Sequence, residues 1–170
     1  EENLACDEAL LDLCETGGSD EVVLASRKGM AIRFPESNAR SMGRNSSGVR
    51  GIRLAADDSV VGMVVVKRDA SLLVVTEHGL GKLTNIDEYR VQGRGGKGVT
   101  GAETKEGDFV ERLIVTSNHQ YLLVLTQTGH LHWLRVFDIP EASRQSRGRA
   151  LVNMLQVDPG DRIAACVPVR

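Results

Sequence analysis

The sequence is poor in the residues and patterns that mark several large classes of protein. Its 170 residues include only three cysteines, Cys6, Cys14 and Cys166, and these form no Cys-x-x-Cys pair. An odd number of widely spaced cysteines argues against a disulfide framework and a zinc site, and is typical of a reducing cytosol. The sequence has no run of 18 apolar residues and opens on two glutamates, so we expect neither a membrane-spanning helix nor a signal peptide.

A helical pattern is also missing. No segment repeats its apolar residues with a period of 3.6 over ten or more positions. Short runs rich in β-branched residues instead lie on both sides of polar turns that end in glycine, such as TEHG (76–79) and TQTG (126–129). This pattern is typical of β-hairpins in which glycine takes a positive φ. We therefore predict an all-β fold.

The sequence repeats itself with a period of fifty residues. Residues 22–34, 72–84 and 122–134 each contain an apolar run, a polar turn, a glycine and a second run. The residues that keep the fifty-residue step are Gly29, Gly79 and Gly129; Arg44, Arg94 and Arg144; and Gly48, Gly98 and Gly148. A repeat of this length with about four strands has the size of a propeller blade. We predict one propeller-like domain over 1–170, with three blades of about four strands each.

The predicted blades span roughly 7–56, 57–106 and 107–157, with a closing strand in 158–170. Propellers normally need about four to eight blades to close, and this chain has three repeats. If blades exchange their first strand, 162–167 completes the third blade, and 8–15 is a strand whose own blade is absent. Because exposed strand edges invite pairing, we expect either a fragment of a longer protein or a chain that self-associates through open blade edges.

Charge is distributed unevenly along the chain. The net charge is −2, but residues 1–26 carry eight acids and no lysine or arginine, whereas 27–53 carry seven bases and one acid. Three more arginines fall within 144–149. A nearly neutral protein can therefore still present a basic stripe, which is typical of nucleic-acid binding.

The most glycine-rich basic segment, VQGRGGKGV (91–99), does not fit the common nucleotide-binding motifs. Gly96 and Lys97 are followed by Gly98 rather than by the hydroxyl residue of a Walker A loop, and no helix follows as a dinucleotide fingerprint requires. The segment instead falls at a fixed phase of the repeat, where 42–51 and 142–151 are its counterparts. We name 42–51, 92–101 and 142–151 rim loops 1, 2 and 3. Their glycines and cations predict a track on the outer rim that binds the phosphates of a bent duplex.

Rim loop 2 also carries a family resemblance. EYRVQGRGGKGV (88–99) resembles the gyrase A box, usually written QRRGGKG, of the C-terminal domain of the bacterial DNA gyrase A protein, and departs from it at Gly93. The resemblance implies a β-pinwheel that exchanges strands between blades, is commonly six-bladed and wraps double-stranded DNA around its perimeter to support negative supercoiling. It implies the catalytic and ATPase parts of the gyrase heterotetramer as partners, a bacterial cytoplasmic, nucleoid-associated location, and no cofactor, membrane contact, metal site or catalytic residue of its own.

The resemblance assigns the box-like DNA contacts to Gln92, Gly93, Arg94, Gly95, Gly96, Lys97 and Gly98. Other predicted DNA-binding residues are the basic residues of the rim, Arg40, Arg44, Arg50, Arg53, Arg90, Arg144, Arg147 and Arg149. Two alternatives remain at this stage. The paralogous protein of topoisomerase IV has a degenerate box and fewer blades, and propellers in general serve as protein-interaction scaffolds.

Overall fold

The structure, a computed structural model, describes residues 11–66, 70–158 and 160–169, and over these residues it is built from strands. It contains eleven β-strands and four 3-10 helices of three or four residues, and no α-helix occurs in this described part. The all-β prediction is therefore confirmed. None of the helices in these ranges is long and apolar enough to cross a membrane.

The strands are β1 (Glu21–Ser26), β2 (Met30–Pro35), β3 (Val60–Val65), β4 (Ser71–Thr76), β5 (Leu80–Asn85), β6 (Val99–Thr100), β7 (Val110–Thr116), β8 (Tyr121–Thr126), β9 (Leu131–Arg135), β10 (Arg149–Ala150) and β11 (Ile163–Val169). The 3-10 helices are Glu36–Asn38, Ile86–Glu88, Val136–Asp138 and Leu151–Met154.

Three sheets form three blades, and each blade borrows strands from the next repeat. Blade 1 has the order β3-β1-β2-β6, blade 2 has the order β10-β5-β4-β7, and blade 3 has the order β11-β8-β9. All pairings within them are antiparallel. Each local hairpin (β1–β2, β4–β5, β8–β9) receives a long strand from the following repeat at one edge. Blades 1 and 2 also receive a two-residue strand from a rim loop at the other edge.

The predicted exchange of strands is confirmed at the end of the chain. Strand β11 pairs with β8, from Ile163 opposite Thr126 to Val169 opposite Tyr121, and so completes that edge of blade 3. The prediction of a strand over 8–15 is wrong for 11–15, which form no strand, while residues 8–10 lie outside the described residues. A strand needs a backbone partner, and the hairpin that would accept this segment is not among the described residues. Cys14 and Asp12 instead make hydrogen bonds with the backbone of Met63.

The hairpin turns have the same construction in all three blades. Gly29, Gly79 and Gly129 have φ values of 83°, 74° and 90°, so the predicted positive φ is confirmed. In each blade, an aspartate just before the exchanged strand accepts a hydrogen bond from a backbone N–H of the hairpin turn. The three bonds are Lys28 N to Asp58, His78 N to Asp108, and Thr128 N to Asp161, at 2.9, 3.1 and 3.3 Å. The exchanged segment is thereby tied to the turn of the blade that it completes.

Apolar residues on both faces of the blades form cores between them. The middle strand β4 shows this arrangement, since Leu72 and Val74 pack toward blade 1 while Leu73 and Val75 pack toward blade 3. All four side chains are buried. Burial on both faces explains why this strand is a continuous apolar run in the sequence rather than an alternating one.

Rim loop 2 approaches blade 1 so closely that a side chain cannot fit at one of its glycines. Gly98 has a φ of +76°, and a Cβ atom built on it would lie 2.4 Å from the carbonyl oxygen of Ala31. Gly148 has the same relation to Gly81, at 2.6 Å and a φ of +80°. By contrast, nothing lies within 4 Å of a Cβ atom built on Gly93. Gly98 and Gly148 therefore recur fifty residues apart because there is no room for a Cβ atom where a rim loop contacts a blade.

We predict that Gly98→Ala destabilises the fold and that Gly93→Ala, the matched control, does not. The left-handed backbone costs an alanine about 1–2 kcal/mol, and the clash with Ala31 adds to this. Chemical denaturation should therefore show a drop of about 2 kcal/mol or more in the free energy of unfolding for Gly98→Ala, and less than about 0.5 kcal/mol for Gly93→Ala. Equal stabilities of the two variants would contradict this account of the contact between Gly98 and Ala31.

Candidate nucleic-acid interface

The three rim loops lie next to one another and are linked by arginine side chains. The guanidinium of Arg94 donates from Nη1 to the carbonyl oxygen of Arg50, at 3.2 Å, and so joins rim loop 2 to rim loop 1. Arg144 donates in the same way to the carbonyl oxygen of Thr100, at 3.0 Å, and joins rim loop 3 to rim loop 2. The backbone adds to the first link, because Gly95 N donates to Gly51 O at 2.5 Å. Three segments fifty residues apart thus form one continuous surface.

The predicted cations divide into two groups by exposure. Arg94 and Arg144 are half-buried because they hold neighbouring loops. The exposed group contains Arg40, Arg44, Arg50, Arg53, Arg90, Lys97, Arg147 and Arg149. The exposed side chains are available to neutralise phosphates, whereas the half-buried pair sets the spacing between loops.

Acidic residues accompany the cations on rim loop 3. Arg147 forms an ion pair with Glu103 at 3.2 Å, with both side chains more than half exposed. The carboxylate of Glu88 accepts a hydrogen bond from the backbone of Arg144, at 3.0 Å. No comparable acid pairs with Lys97 among the described residues. An exposed ion pair contributes little stability, so Arg147 can exchange Glu103 for a phosphate at small cost.

The box-like residues of rim loop 2 are held mainly through their backbone. Gln92 N donates to the carbonyl oxygen of Arg33 at 2.8 Å, and Gly96 O accepts from Arg53 N at the same distance. Arg94 also donates from Nε to the carbonyl oxygen of Asn38, at 2.6 Å. The N–H of Gly95 is already used by Gly51, so it is not free to bind an anion as a nest of backbone amides would require. The feature that this loop presents to an anion is therefore the side-chain charge of Lys97 and not the N–H of Gly95.

Lys82 supports rim loop 3, and the sequence analysis missed it. Its side chain is only 2% exposed, and its ammonium donates to the carbonyl oxygens of Ser143, Arg144 and Ser146 at 3.0, 2.5 and 3.0 Å. Burial lowers the pKa of Lys82 to about 8, which the nearby charge of Glu88 only partly offsets. The signal in the sequence was a lone charged residue between Leu80 and Leu83 in strand β5.

Lys82 lies beneath rim loop 3 and holds its backbone in place by hydrogen bonds. Rim loop 2 has Gly93 and Gly96 in place of Ser143 and Ser146. It passes over Ile32, the residue fifty positions before Lys82. Rim loop 3 has fewer glycines, and the three carbonyl groups that point inward are satisfied by one ammonium group. A buried carbonyl without a donor is costly, so the lysine positions the arginines of this loop indirectly.

We predict that Lys82→Met loosens rim loop 3 while leaving blade 1 intact, because methionine fills the space but donates no hydrogen bond. Hydrogen exchange should show faster exchange of the amides in 143–148 and unchanged exchange in β1 and β2. Amide exchange is base-catalysed, so the comparison across pH uses protection relative to the intrinsic exchange rate. Raising the pH from about 7 to about 9 should lower the protection of these amides in the unaltered chain and leave that of the variant unchanged, since a neutral amine has only two N–H groups. Lys97→Met is the control; an identical exchange pattern in the two variants would contradict the role of Lys82.

Both tyrosines and His130 have structural partners. Tyr89 is buried beneath rim loop 2 and donates to the carbonyl oxygen of Gly101 at 3.2 Å, and burial raises its pKa to about 12. Tyr121 packs edge-to-face on Trp133, with ring centroids 5.7 Å apart. His130 Nδ1 lies 3.1 Å from the hydroxyl of Thr128. Within the described ranges, no group of three or more potential metal ligands comes together.

The comparisons with known proteins agree with this architecture. The family described as "DNA gyrase C-terminal domain, beta-propeller" matches residues 20–67, 70–117 and 120–170. The DNA gyrase A protein of Haloquadratum walsbyi is 47% identical over 90 residues, which cover 52% of this chain and 10% of that protein. The DNA gyrase A protein of Escherichia coli is 49% identical over 74 residues, covering 44% of this chain and 8% of the relative. The matched segments thus span about a tenth of the length of these relatives.

A solved structure shows the same fold. The crystal structure of the C-terminal domain of DNA topoisomerase IV superposes with a TM-score of 0.82 at 24% sequence identity, over 98% of this chain and 52% of that domain. The family match extends over all three blades, including the exchanged strand β11. The chain therefore belongs to the family of DNA gyrase C-terminal β-propeller domains.

Proposed function

We propose that this chain is a DNA-wrapping domain that bends duplex DNA along the surface formed by rim loops 1, 2 and 3. The observation that carries the proposal is the pair of equivalent links, Arg94 to Arg50 and Arg144 to Thr100, which place three basic loops side by side at regular intervals. Regularly spaced cations along a curved rim suit a bent phosphate backbone better than a straight one. Contacts of this kind bind DNA without reading its bases.

Membership of the gyrase family supports a place within a type II topoisomerase. In that setting, the domain acts in the bacterial cytoplasm alongside the catalytic and ATPase parts of a gyrase heterotetramer and contributes to negative supercoiling. Its own role is accessory rather than catalytic. The two tyrosines support this, since Tyr89 is buried against Gly101 and Tyr121 packs on Trp133, and neither is positioned for attack on a phosphodiester.

Duplex binding should weaken steeply with salt. If about four phosphates are neutralised, the logarithm of the association constant should fall with a slope of about −3.6 against the logarithm of the salt concentration. The measurement is a fluorescence-anisotropy titration with a duplex of about 40 base pairs, close to four helical turns. If the chain is instead a protein-interaction scaffold, it should not bind the duplex even at low salt. That result would reject the proposed function.

The box-like loop should matter more for wrapping than for affinity. Arg94→Ala with Lys97→Ala removes two charges from rim loop 2 and also the side-chain part of its link to rim loop 1. Arg147→Ala with Arg149→Ala is the matched control, since it removes two charges from rim loop 3 and leaves the Arg144 link in place. Both double variants should lose similar affinity for linear duplex, on the order of tenfold.

Wrapping is measured separately, on circular DNA relaxed by a type I topoisomerase in the presence of the chain. The unaltered chain should shift the distribution of linking numbers, the control should retain most of the shift, and the rim loop 2 variant should lose it. Equal loss in the two double variants would argue against a special role for residues 92–98. Thermal unfolding of both variants checks that the blades are intact.

A further inference from the structure

A basic cleft opens beside rim loop 3. It lies between this loop and residues 103–107, part of the connection from β6 to β7, and has a volume of about 450 Å³. That volume falls within the range of sites for small ligands, about 300–1,000 Å³. Among the described residues that line the cleft, three are cations and none is acidic. The cations are Lys105, Arg147 and Arg149.

The wall that rim loop 3 forms is held on blade 2 through its backbone. Arg149 pairs with Gly81 where β10 meets β5, and Leu151 N donates to the carbonyl oxygen of Gly79 at 2.9 Å. The side chains of Arg147 and Arg149 are nevertheless exposed. Because the backbone is already ordered, these two arginines lose only side-chain freedom when an anion binds between the walls.

The opposite wall is a hydrogen-bonded turn that carries Lys105. Asp108 N donates to the carbonyl oxygen of Lys105 at 3.0 Å. The buried carboxylate of Asp108 accepts hydrogen bonds from the backbone N–H groups of His78 and Phe109, so the turn is attached to blade 2. Lys105 itself is exposed, and its ammonium takes part in no ion pair within the described ranges. Its charge is therefore available to a ligand.

A carboxylate of the protein already contacts one edge of the cleft. Oε1 of Glu103 lies 3.2 Å from Nη2 of Arg147, and the two side chains are 56% and 53% exposed. Arginine binds carboxylates and phosphates through the same N–H donors. Glu103 thus shows that Arg147 can hold an anion at this place. Since an exposed ion pair is weak, a phosphate can displace the carboxylate.

Blade 1 does not repeat this set of charges. The residues fifty positions before Lys105, Arg147 and Arg149 keep only one of the three cations. These counterparts are Ala55, Lys97 and Val99. The acid is also particular to blade 2, since the position of Glu103 holds Arg53 in blade 1. Because both blades share one fold, the fold does not require the three cations or the carboxylate, and their arrangement indicates a role in binding.

We propose that the cleft is an anion site that holds one phosphate group of the DNA backbone between Lys105 and the two arginines of rim loop 3. Glu103 leaves Arg147 when this phosphate binds. Lys105 belongs to none of the rim loops, so it adds a DNA-binding residue in the interval between rim loops 2 and 3. A duplex that follows the rim crosses this interval, where the cleft neutralises a phosphate from both sides. The assignment to DNA rests on the proposed function, whereas the anion site does not.

The anion site is tested without DNA, with inorganic pyrophosphate as the probe. In an NMR titration of the unaltered chain, pyrophosphate should shift the amide resonances of Lys105 and of residues 147–150 to saturation. Lys105→Gln should weaken this binding by about threefold or more, and Lys105→Arg, which keeps the charge, should preserve it. Lys28→Gln is the matched control, because Lys28 is also exposed but lies in the hairpin turn of blade 1. An absence of saturable shifts, or equal binding by Lys105→Gln, would overturn the proposal.

The source of the phosphate group is tested with a duplex of about 40 base pairs, in the salt titration by fluorescence anisotropy. Lys105→Gln should reduce the magnitude of the salt slope by about 1, and Lys105→Arg and Lys28→Gln should leave it unchanged. Glu103→Gln should raise the affinity at low salt by about two- to fivefold, because it frees Arg147. Pyrophosphate binding without these changes would assign the cleft to a free phosphate compound and reject its role in DNA binding.

The two proposals fail in different ways. If the unaltered chain does not bind the duplex, the proposed function and the assignment of the cleft to DNA are both overturned, while the pyrophosphate titration still decides whether the cleft binds an anion. If the duplex binds and Lys105→Gln keeps the full salt slope, only the assignment of the cleft fails. The substituted side chains are all exposed, so thermal unfolding of the variants should match that of the unaltered chain.

Discussion

Backbone hydrogen bonds between repeats connect the three blades. A hairpin such as β1–β2 has two edges with unpaired N–H and C=O groups, and both are covered by segments of the following repeat, β3 and β6. The same arrangement recurs in blade 2, with β7 and β10. Rim loops 2 and 3 therefore have two roles, because they cover blade edges and carry cations of the proposed DNA surface.

This coupling explains the division among the basic residues. Arg94 and Arg144 lie where one loop meets the next and use part of their guanidinium groups on carbonyl oxygens, whereas Lys97 and Arg147 project from the loops. The half-buried arginines determine the interval between loops, and the exposed cations supply free charge at that interval. A curved track for DNA needs both properties, since charge at irregular spacing does not favour a bent duplex over a straight one.

Much of the fold could be predicted from the sequence because its main determinants recur at fixed steps. Gly29, Gly79 and Gly129 revealed the hairpins, and the likeness of 162–167 to the opening of each repeat predicted the strand that completes blade 3. The features that could not be predicted depend on contacts between residues that are distant in the sequence. The donation from Lys82 to Ser143 spans 61 residues, and nothing local to strand β5 indicates that its ammonium lies beneath a loop.

The sequence predicted where the basic loops lie in the repeat but not how they contact one another. The composition of 91–99 identified a basic loop, yet the use of Gly95 N and of the Arg94 side chain within the protein is visible only once rim loop 1 lies beside it. The expected strand over 8–15 failed in its described part for a related reason, because the sequence pattern of a strand does not supply the partner that a strand requires.

The most direct test of the central claim, that three linked loops form one track for duplex DNA, is the affinity of the chain for duplexes of increasing length at fixed low salt. The account predicts that affinity per binding site rises in steps as the duplex grows from about one to about four helical turns, near 40 base pairs, because further rim loops engage. An affinity that is already maximal at about one helical turn and does not increase with length would contradict it.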